Sequence, residues 1–232
     1  MKLFLIPTPL ADDTAADVLS AQVPETVKEL EVFFAENLRT ARRFISGLKV
    51  GKVIDDLTFY QLDKDTSEAE TLAQLKALAK EGKNAGILSE AGCPGIADPG
   101  AIAVKLAHQL NIEVVPLVGP SSLLLALMAS GLNGQSFVFH GYLPIERDRR
   151  IKTIKYLEKE AMARKQTQLF IETPYRNHQV MEDLVAQCEL TTRLCVACNL
   201  TAPDGFIKTL SIKDWKNQPY DLHRKPTVFL IG

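Results

Sequence analysis

Apolar residues follow two rhythms along this chain. Short unbroken runs have the length and bulk of buried strands: KLFLI at 2–6, NAGIL at 84–88 and IEVVPLVG at 112–119. The stretch KELEVFFAEN at 28–37 reads as another strand. Between them the apolar positions recur every three or four residues, which predicts helices over 11–20, 38–48, 66–83 and 98–111. Thr66 or Ser67 is the expected N-cap of the third of these, with Glu70 near capping-box distance and Gly82 as its stop. Strand and helix alternate in this way through about residue 118, the pattern of a parallel α/β sheet.

The texture then changes. An apolar helix over 120–132 precedes a strand at 136–143 and a long charged helix at 145–165. One more helix, at 175–188, and strands at 168–172, 192–198, 205–212 and 227–232 complete the chain. Two of these strands are adjacent in sequence, so an α+β lobe with a mixed sheet is expected. LVGPSS interrupts the pattern, which predicts a first lobe over 1–117 and a second over 118–232.

Three loops rich in glycine and proline lie where strands end: PTPLADD at 7–13, SEAGCPGIADPG at 89–100 and VGPSS at 118–122. Ligands of open α/β sheets bind at the carboxyl ends of strands. Glycine lets a ligand touch backbone, and proline limits the entropy lost on binding. Neither a dinucleotide fingerprint nor a phosphate P-loop is present.

The run LSEAGCPGIADPG followed by VVPLVGPSSLLLALMASGL resembles the tetrapyrrole methylase superfamily of S-adenosylmethionine (SAM) methyltransferases. LFLIPTPLAD, FFAENLRTARRFI, FHGYLP, LFIETPYR and KPTVFLIG carry the likeness nearly end to end. It is nearest the branch that methylates a cytidine ribose 2′-oxygen in small-subunit ribosomal RNA. That branch commonly has Asp where this chain has Glu90, and Asp-Thr where it has Asn37-Leu38. The resemblance implies two α/β lobes with SAM in a cleft between them, a ribosomal RNA or small-subunit partner, and a homodimer. It assigns cofactor contacts to Pro9, Ser89, Glu90, Gly92, Cys93, Pro94, Ile96, Ser121 and Ser122. From the second lobe it adds Phe170, Ile171, Asn199, Leu200, Pro226 and Thr227.

The chemistry sets its own requirements. A sulfonium cation favours carbonyls or a carboxylate nearby. A ribose hydroxyl needs a general base. Glu36 and Glu90 follow strands at one sheet edge, and Arg39 lies a turn beyond Glu36, so these three are the catalytic candidates. Arg39 has two readings, an ion pair with Glu36 or a phosphate contact. Ser121 and Ser122 also have two, helix caps or cofactor contacts. The basic helix 147–165 is either a solvated face or an RNA contact.

Composition narrows the partners. The 232 residues are 46% hydrophobic with a formal net charge of −1, so any nucleic-acid surface must be local. Four cysteines (Cys93, Cys188, Cys195 and Cys198) are too few for a disulfide scaffold. With neither a signal sequence nor a membrane span in the pattern, a cytoplasmic location is expected. The CVAC pair occupies positions i and i+3 of a strand, which face opposite sides, and no histidine has ligand spacing, so no metal is expected. Two further functions stand beside RNA methylation: SAM-dependent methylation of a small tetrapyrrole-like acceptor, and SAM binding without catalysis.

Overall fold

A computed structural model describes all 232 residues, which divide into two units, Met1–Ser121 and Ser122–Gly232. In the first unit the strands are β1 (Lys2–Ile6), β2 (Val32–Ala35), β3 (Thr58–Gln61), β4 (Ala85–Leu88) and β5 (Glu113–Pro116). They form one sheet in the order β3-β2-β4-β1-β5, and every neighbouring pair is parallel. Helices α1 (Ala15–Val18), α2 (Gln22–Glu29), α3 (Leu38–Gly47), α4 (Glu68–Glu81) and α5 (Gly100–Gln109) connect them.

Both faces of this sheet are covered, as a parallel sheet requires. Val23 and Val27 of α2 and Ala41 and Ile45 of α3 pack on Ile6, Phe33 and Leu88. Leu75 and Leu78 of α4 and Ala103 and Leu106 of α5 pack on Leu3, Phe34 and Ile87. Ser67 caps α4 by accepting from the Glu70 N–H at 3.2 Å, and Gly82 ends it at φ +67°.

Two elements differ from the sequence pattern. Residues 28–29 belong to helix α2, not to a strand, because Val23 and Val27 share one buried helical face four residues apart. The strand there is only the four-residue VFFA. TFYQ forms the extra strand β3, so NAGIL holds the fourth strand rather than the third. β3 is a short edge strand with an exposed first residue, which blurs its apolar signal.

The second unit holds α6 (Ser122–Ser130), β6 (Phe137–Tyr142), α7 (Arg147–Arg164), β7 (Thr167–Glu172), α8 (Asn177–Gln187), β8 (Arg193–Cys198), β9 (Phe206–Ser211), α9 (Ile212–Trp215) and β10 (Thr227–Ile231). The sheet order is β6-β7-β10-β8-β9. Only β6 and β7 pair in parallel, so the sheet is mixed. Phe170, Cys198, Phe229 and Ile231 face α7, α8 and Trp215 of α9. Cys195, Ala197, Val228 and Leu230 face Ala126 and Leu127 of α6. The two cysteines of CVAC thus lie on opposite faces, as alternation along a strand dictates.

Candidate functional site

The strand order sets β1 beside β4 and sends their outgoing connections to opposite sides of the sheet. Such a point opens a ligand crevice at the carboxyl edge of doubly wound sheets. Here the two outgoing loops are tied together. The Thr8 N–H donates to the Gly92 carbonyl and the Gly92 N–H to the Thr8 carbonyl, each at 3.0 Å. Thr8 Oγ1 donates to the Ser89 carbonyl at 3.2 Å, and Ser89 Oγ donates to the Gly92 carbonyl at 2.8 Å. The third loop joins through Cys93, whose Sγ lies 3.3 Å from the Pro120 carbonyl oxygen.

Glycine is required at two of these points. Gly92 sits at φ +76°, and a Cβ there would meet Leu10 Cδ2 at 3.2 Å and the Pro120 oxygen at 3.3 Å. A Cβ on Gly119 would fall 2.2 Å from Pro7 Cγ. Further along, Asp98 Oδ1 accepts from the Gly95 N–H at 2.6 Å and the Gly100 N–H at 2.8 Å. Burial pushes the Asp98 carboxyl above its usual range, against the pull of those two donors. The loop is therefore a rigid cradle built from backbone.

The predicted residues of this edge separate into two groups. Ser89, Gly92 and Pro94 are buried, and Ser89 and Gly92 hold the loops to one another. Pro9, Cys93, Ser121 and Ser122 are half-buried, and Glu90 and Ile96 are exposed. Burial, and after it the charge of Asp98, pushes the Cys93 thiol up, away from the thiolate form that a nucleophile needs.

The candidate carboxylates are neighbours by register. Ala35 is paired with Leu88, so Glu36 and the Ser89-Glu90 pair leave the sheet side by side. Burial holds the Glu36 carboxyl above the ordinary range, and Glu90, Asp98 and Asp63 push it further the same way. Gln61 of β3 donates to the Glu36 carbonyl at 2.5 Å, which fixes its backbone. Asn37 caps α3 by accepting from the Arg39 and Thr40 N–H groups at 3.0 and 3.3 Å. The helix thereby presents Thr40, whose hydroxyl lies 2.5 Å from Glu90 Oε1. Arg39 is exposed and makes no ion pair with Glu36, so the first of its two readings is not realised. Sequence reasoning missed Thr8, Thr40, Gln61 and Asp98. Thr40 was detectable as the third residue after the cap, and the other three only through the topology.

In the second unit one sheet edge gathers the ends of three strands. Thr227 is in register with Glu172 on one side and Cys198 on the other. The Asn199 N–H donates to the Pro226 carbonyl at 2.8 Å. Asn199, Thr201 and Arg224 all adopt left-handed φ values, +49°, +69° and +56°. Three such non-glycine residues at one edge mark a backbone held in place by its surroundings. Lys225 lies 3.1 Å from both Asp204 and Asp221, which raises its own pKa and helps lower theirs.

Among the predicted residues here, Asn199, Pro226 and Thr227 come together. Ile171 and Leu200 pack beside the α6-covered face. Phe170 is fully buried on the other face, its ring stacked on Phe229 at 5.6 Å. Its side chain belongs to the core.

The basic helix needs a correction. Arg150 is fully buried, donates to the Ile145 carbonyl at 2.8 Å and pairs with the buried Asp183 at 2.7 Å. It fastens α7 to α8. The outward cations are Arg147, Arg149, Lys152, Lys155, Lys159, Arg164 and Lys165, of which Arg147 also reaches Asp183 at 3.2 Å and Arg164 pairs with Glu160.

This chain belongs to the family of tetrapyrrole (corrin/porphyrin) methylases, which it matches over residues 5–215. It is 28% identical over 232 residues to the ribosomal RNA small subunit methyltransferase I of Buchnera aphidicola subsp. Schizaphis graminum, covering 99% of this chain and 77% of that protein. With the protein of the same name from Bacillus subtilis it shares 30% identity over 93% of this chain and 70% of the relative. The solved structure of the methyltransferase CobJ superposes with a TM-score of 0.64 at 17% identity, over all of this chain and 92% of that one. At that identity the likeness speaks for the fold.

Proposed function

We propose that the chain is a SAM-dependent methyltransferase that modifies a cytidine ribose 2′-oxygen in small-subunit ribosomal RNA. The observation that carries this reading is the carboxyl edge of the first sheet. There a backbone cradle of three tied loops adjoins two side-by-side carboxylates, Glu36 and Glu90. The family and the names of its ribosomal relatives supply the donor and acceptor classes.

SAM supplies a methyl group on a sulfonium and departs as a neutral thioether. Pro9, Cys93, Ile96 and Ser121, with the backbone at Ser89, Gly92 and Pro94, line its place in the first unit, and Ser122, the first residue of the second unit, is the next assigned contact along the chain. Asn199, Leu200, Pro226, Thr227 and the backbone at Phe170 and Ile171 are the contacts assigned in the second. Glu36 is the base that accepts the ribose hydroxyl proton. Burial, with Glu90, Asp98 and Asp63 beside it, raises its pKa, and a carboxylate so raised is the stronger base for that task. Glu90, oriented by Thr40, adds the negative charge that a sulfonium favours. Arg39, exposed at the start of α3, is free to meet a phosphate.

A homodimer fits the apolar helix α6, on which Leu124 and Met128, one turn apart, remain 53% and 78% exposed. Cytoplasmic residence fits four free cysteines, and no helix is long and apolar enough to cross a membrane. The test is methyl transfer from labelled SAM to small subunits from a strain lacking this protein. Label in a cytidine ribose supports the reading. Label accepted only by a small tetrapyrrole-like compound, or by nothing, overturns it.

A further inference from the structure

Asn177 opens α8 and is completely buried. Its amide reaches across about fifty residues of sequence to the strand that begins at Thr227. Nδ2 donates to the Lys225 carbonyl at 2.6 Å and lies 3.2 Å from Thr227 Oγ1. Its Oδ1 has no partner. A buried amide that leaves its acceptor empty is oriented by what its donor holds, and both acceptors flank Pro226. From the opposite side, the Asn199 N–H holds the Pro226 carbonyl. Pro226 itself is exposed, and Arg224 before it is in the left-handed region.

The delivery of Asn177 is also fixed. Arg176 pairs with the buried Glu172 at 2.7 Å and donates to the Leu143 and Pro144 carbonyls. The Thr173 N–H donates to Glu172 Oε1 at 2.7 Å. The turn from β7 into α8 is thus rigid, and its product is one amide placed on the 225–227 segment.

We infer that Asn177 is a positioning residue for the methyl donor, setting the Lys225–Pro226–Thr227 backbone in its binding conformation through a paired hold on the Lys225 carbonyl and Thr227 hydroxyl. This rests on the assignment of Pro226 and Thr227 as cofactor contacts. Asn177 touches no ligand itself. Removing its amide leaves the segment in place only part of the time, so affinity for the donor falls while the reacting groups of the first unit are unchanged.

The test is calorimetric titration of SAM into wild type, Asn177→Leu, Thr227→Val and the double variant, with thermal unfolding of each. Thr227→Val preserves shape and keeps the inference testable if Asn177→Leu folds poorly. Each single variant is expected to bind about tenfold more weakly, the worth of one or two buried hydrogen bonds. The double variant should bind no more weakly than the weaker single, because both changes break one coupled unit. For Asn177→Leu, which removes no cofactor contact, the KM for SAM should rise with kcat at saturation unchanged. A purely structural role would lower the melting temperature and leave the affinity of the folded protein intact. Single variants that bind like wild type, or losses that add, overturn the inference. A wild type that gives no heat with SAM fails the cofactor assignment first, and this inference falls with it.

Discussion

Substituting Gly92 tests whether the three loops form one tied cradle. At φ +76° an L-residue is disfavoured by about 1–2 kcal/mol. In Gly92→Ala the new Cβ meets Leu10 Cδ2, which can swing aside, and the Pro120 carbonyl, which can shift only with its loop. The expected cost is about 2 kcal/mol with the Thr8 bridge retained. In Gly92→Val the branched side chain fits beside neither neighbour. The two bridge hydrogen bonds then open, at about 1 kcal/mol each, for a total of about 4 kcal/mol. A domain is stable by only about 5–15 kcal/mol, so this is a large fraction. For a unit of this size each kcal/mol moves the melting temperature by about 4 °C. Scanning calorimetry should therefore show losses of about 8 °C for Ala and about 15 °C for Val. Gly134 has open space around its Cβ position and no positive φ. Gly134→Val is the control and should stay within about 0.5 kcal/mol of wild type. A Gly92→Val protein that melts with wild type would show that the loops are not tied through this residue.

Glu36→Gln should separate stability from activity. The folded carboxyl has a raised pKa, so its stabilising contribution is complete below the unfolded value and is lost as pH rises through the folded one. The Gln variant should therefore melt higher than wild type near neutral pH and show no such gain in acid. Turnover should fall by about 10²–10⁴-fold, and the rise of rate with pH through the Glu36 pKa should vanish; unchanged turnover would remove Glu36 as the base. Arg149→Gln should leave stability within about 0.5 kcal/mol and lower the salt slope of small-subunit binding by about one, if that helix meets phosphate. Arg150→Gln leaves the buried Asp183 only the exposed Arg147, 3.2 Å away, as its cation and should cost about 3 kcal/mol, measured by denaturant unfolding. Equal behaviour of the two arginine variants would contradict the assignment of one to the surface and the other to the core.

The α/β alternation, the mixed second sheet and the Ser67 cap were all legible, because each rests on local periodicity or cap chemistry. β3 was not, because a four-residue edge strand half open to solvent has no clear apolar signature. The α2 helix was hidden because Pro24, Glu25 and Thr26 separate Val23 from Val27, two residues that only a helical reading aligns on one face. In the site, Glu36 and Glu90 were legible as residues that follow strands, and the strand order confirms them as neighbours. The side-chain directions of Phe170 and Arg150 were hidden for a shared reason. Sequence places a residue on an element but does not say which way a long side chain turns, and both turn inward. Asn177 and Asp98 carried no local signal at all, since their partners depend on loops meeting in space.

The central claim is that the cradle beside Glu36 and Glu90 receives the methyl donor, and equilibrium titration of the purified chain with SAM and S-adenosylhomocysteine tests it most directly. The account predicts saturable binding of both at about micromolar affinity or tighter, equivalent to roughly 8 kcal/mol, with the neutral product less sensitive than SAM to Glu90→Gln because it lacks the sulfonium charge. Absence of heat and of any thermal shift with either compound would contradict it.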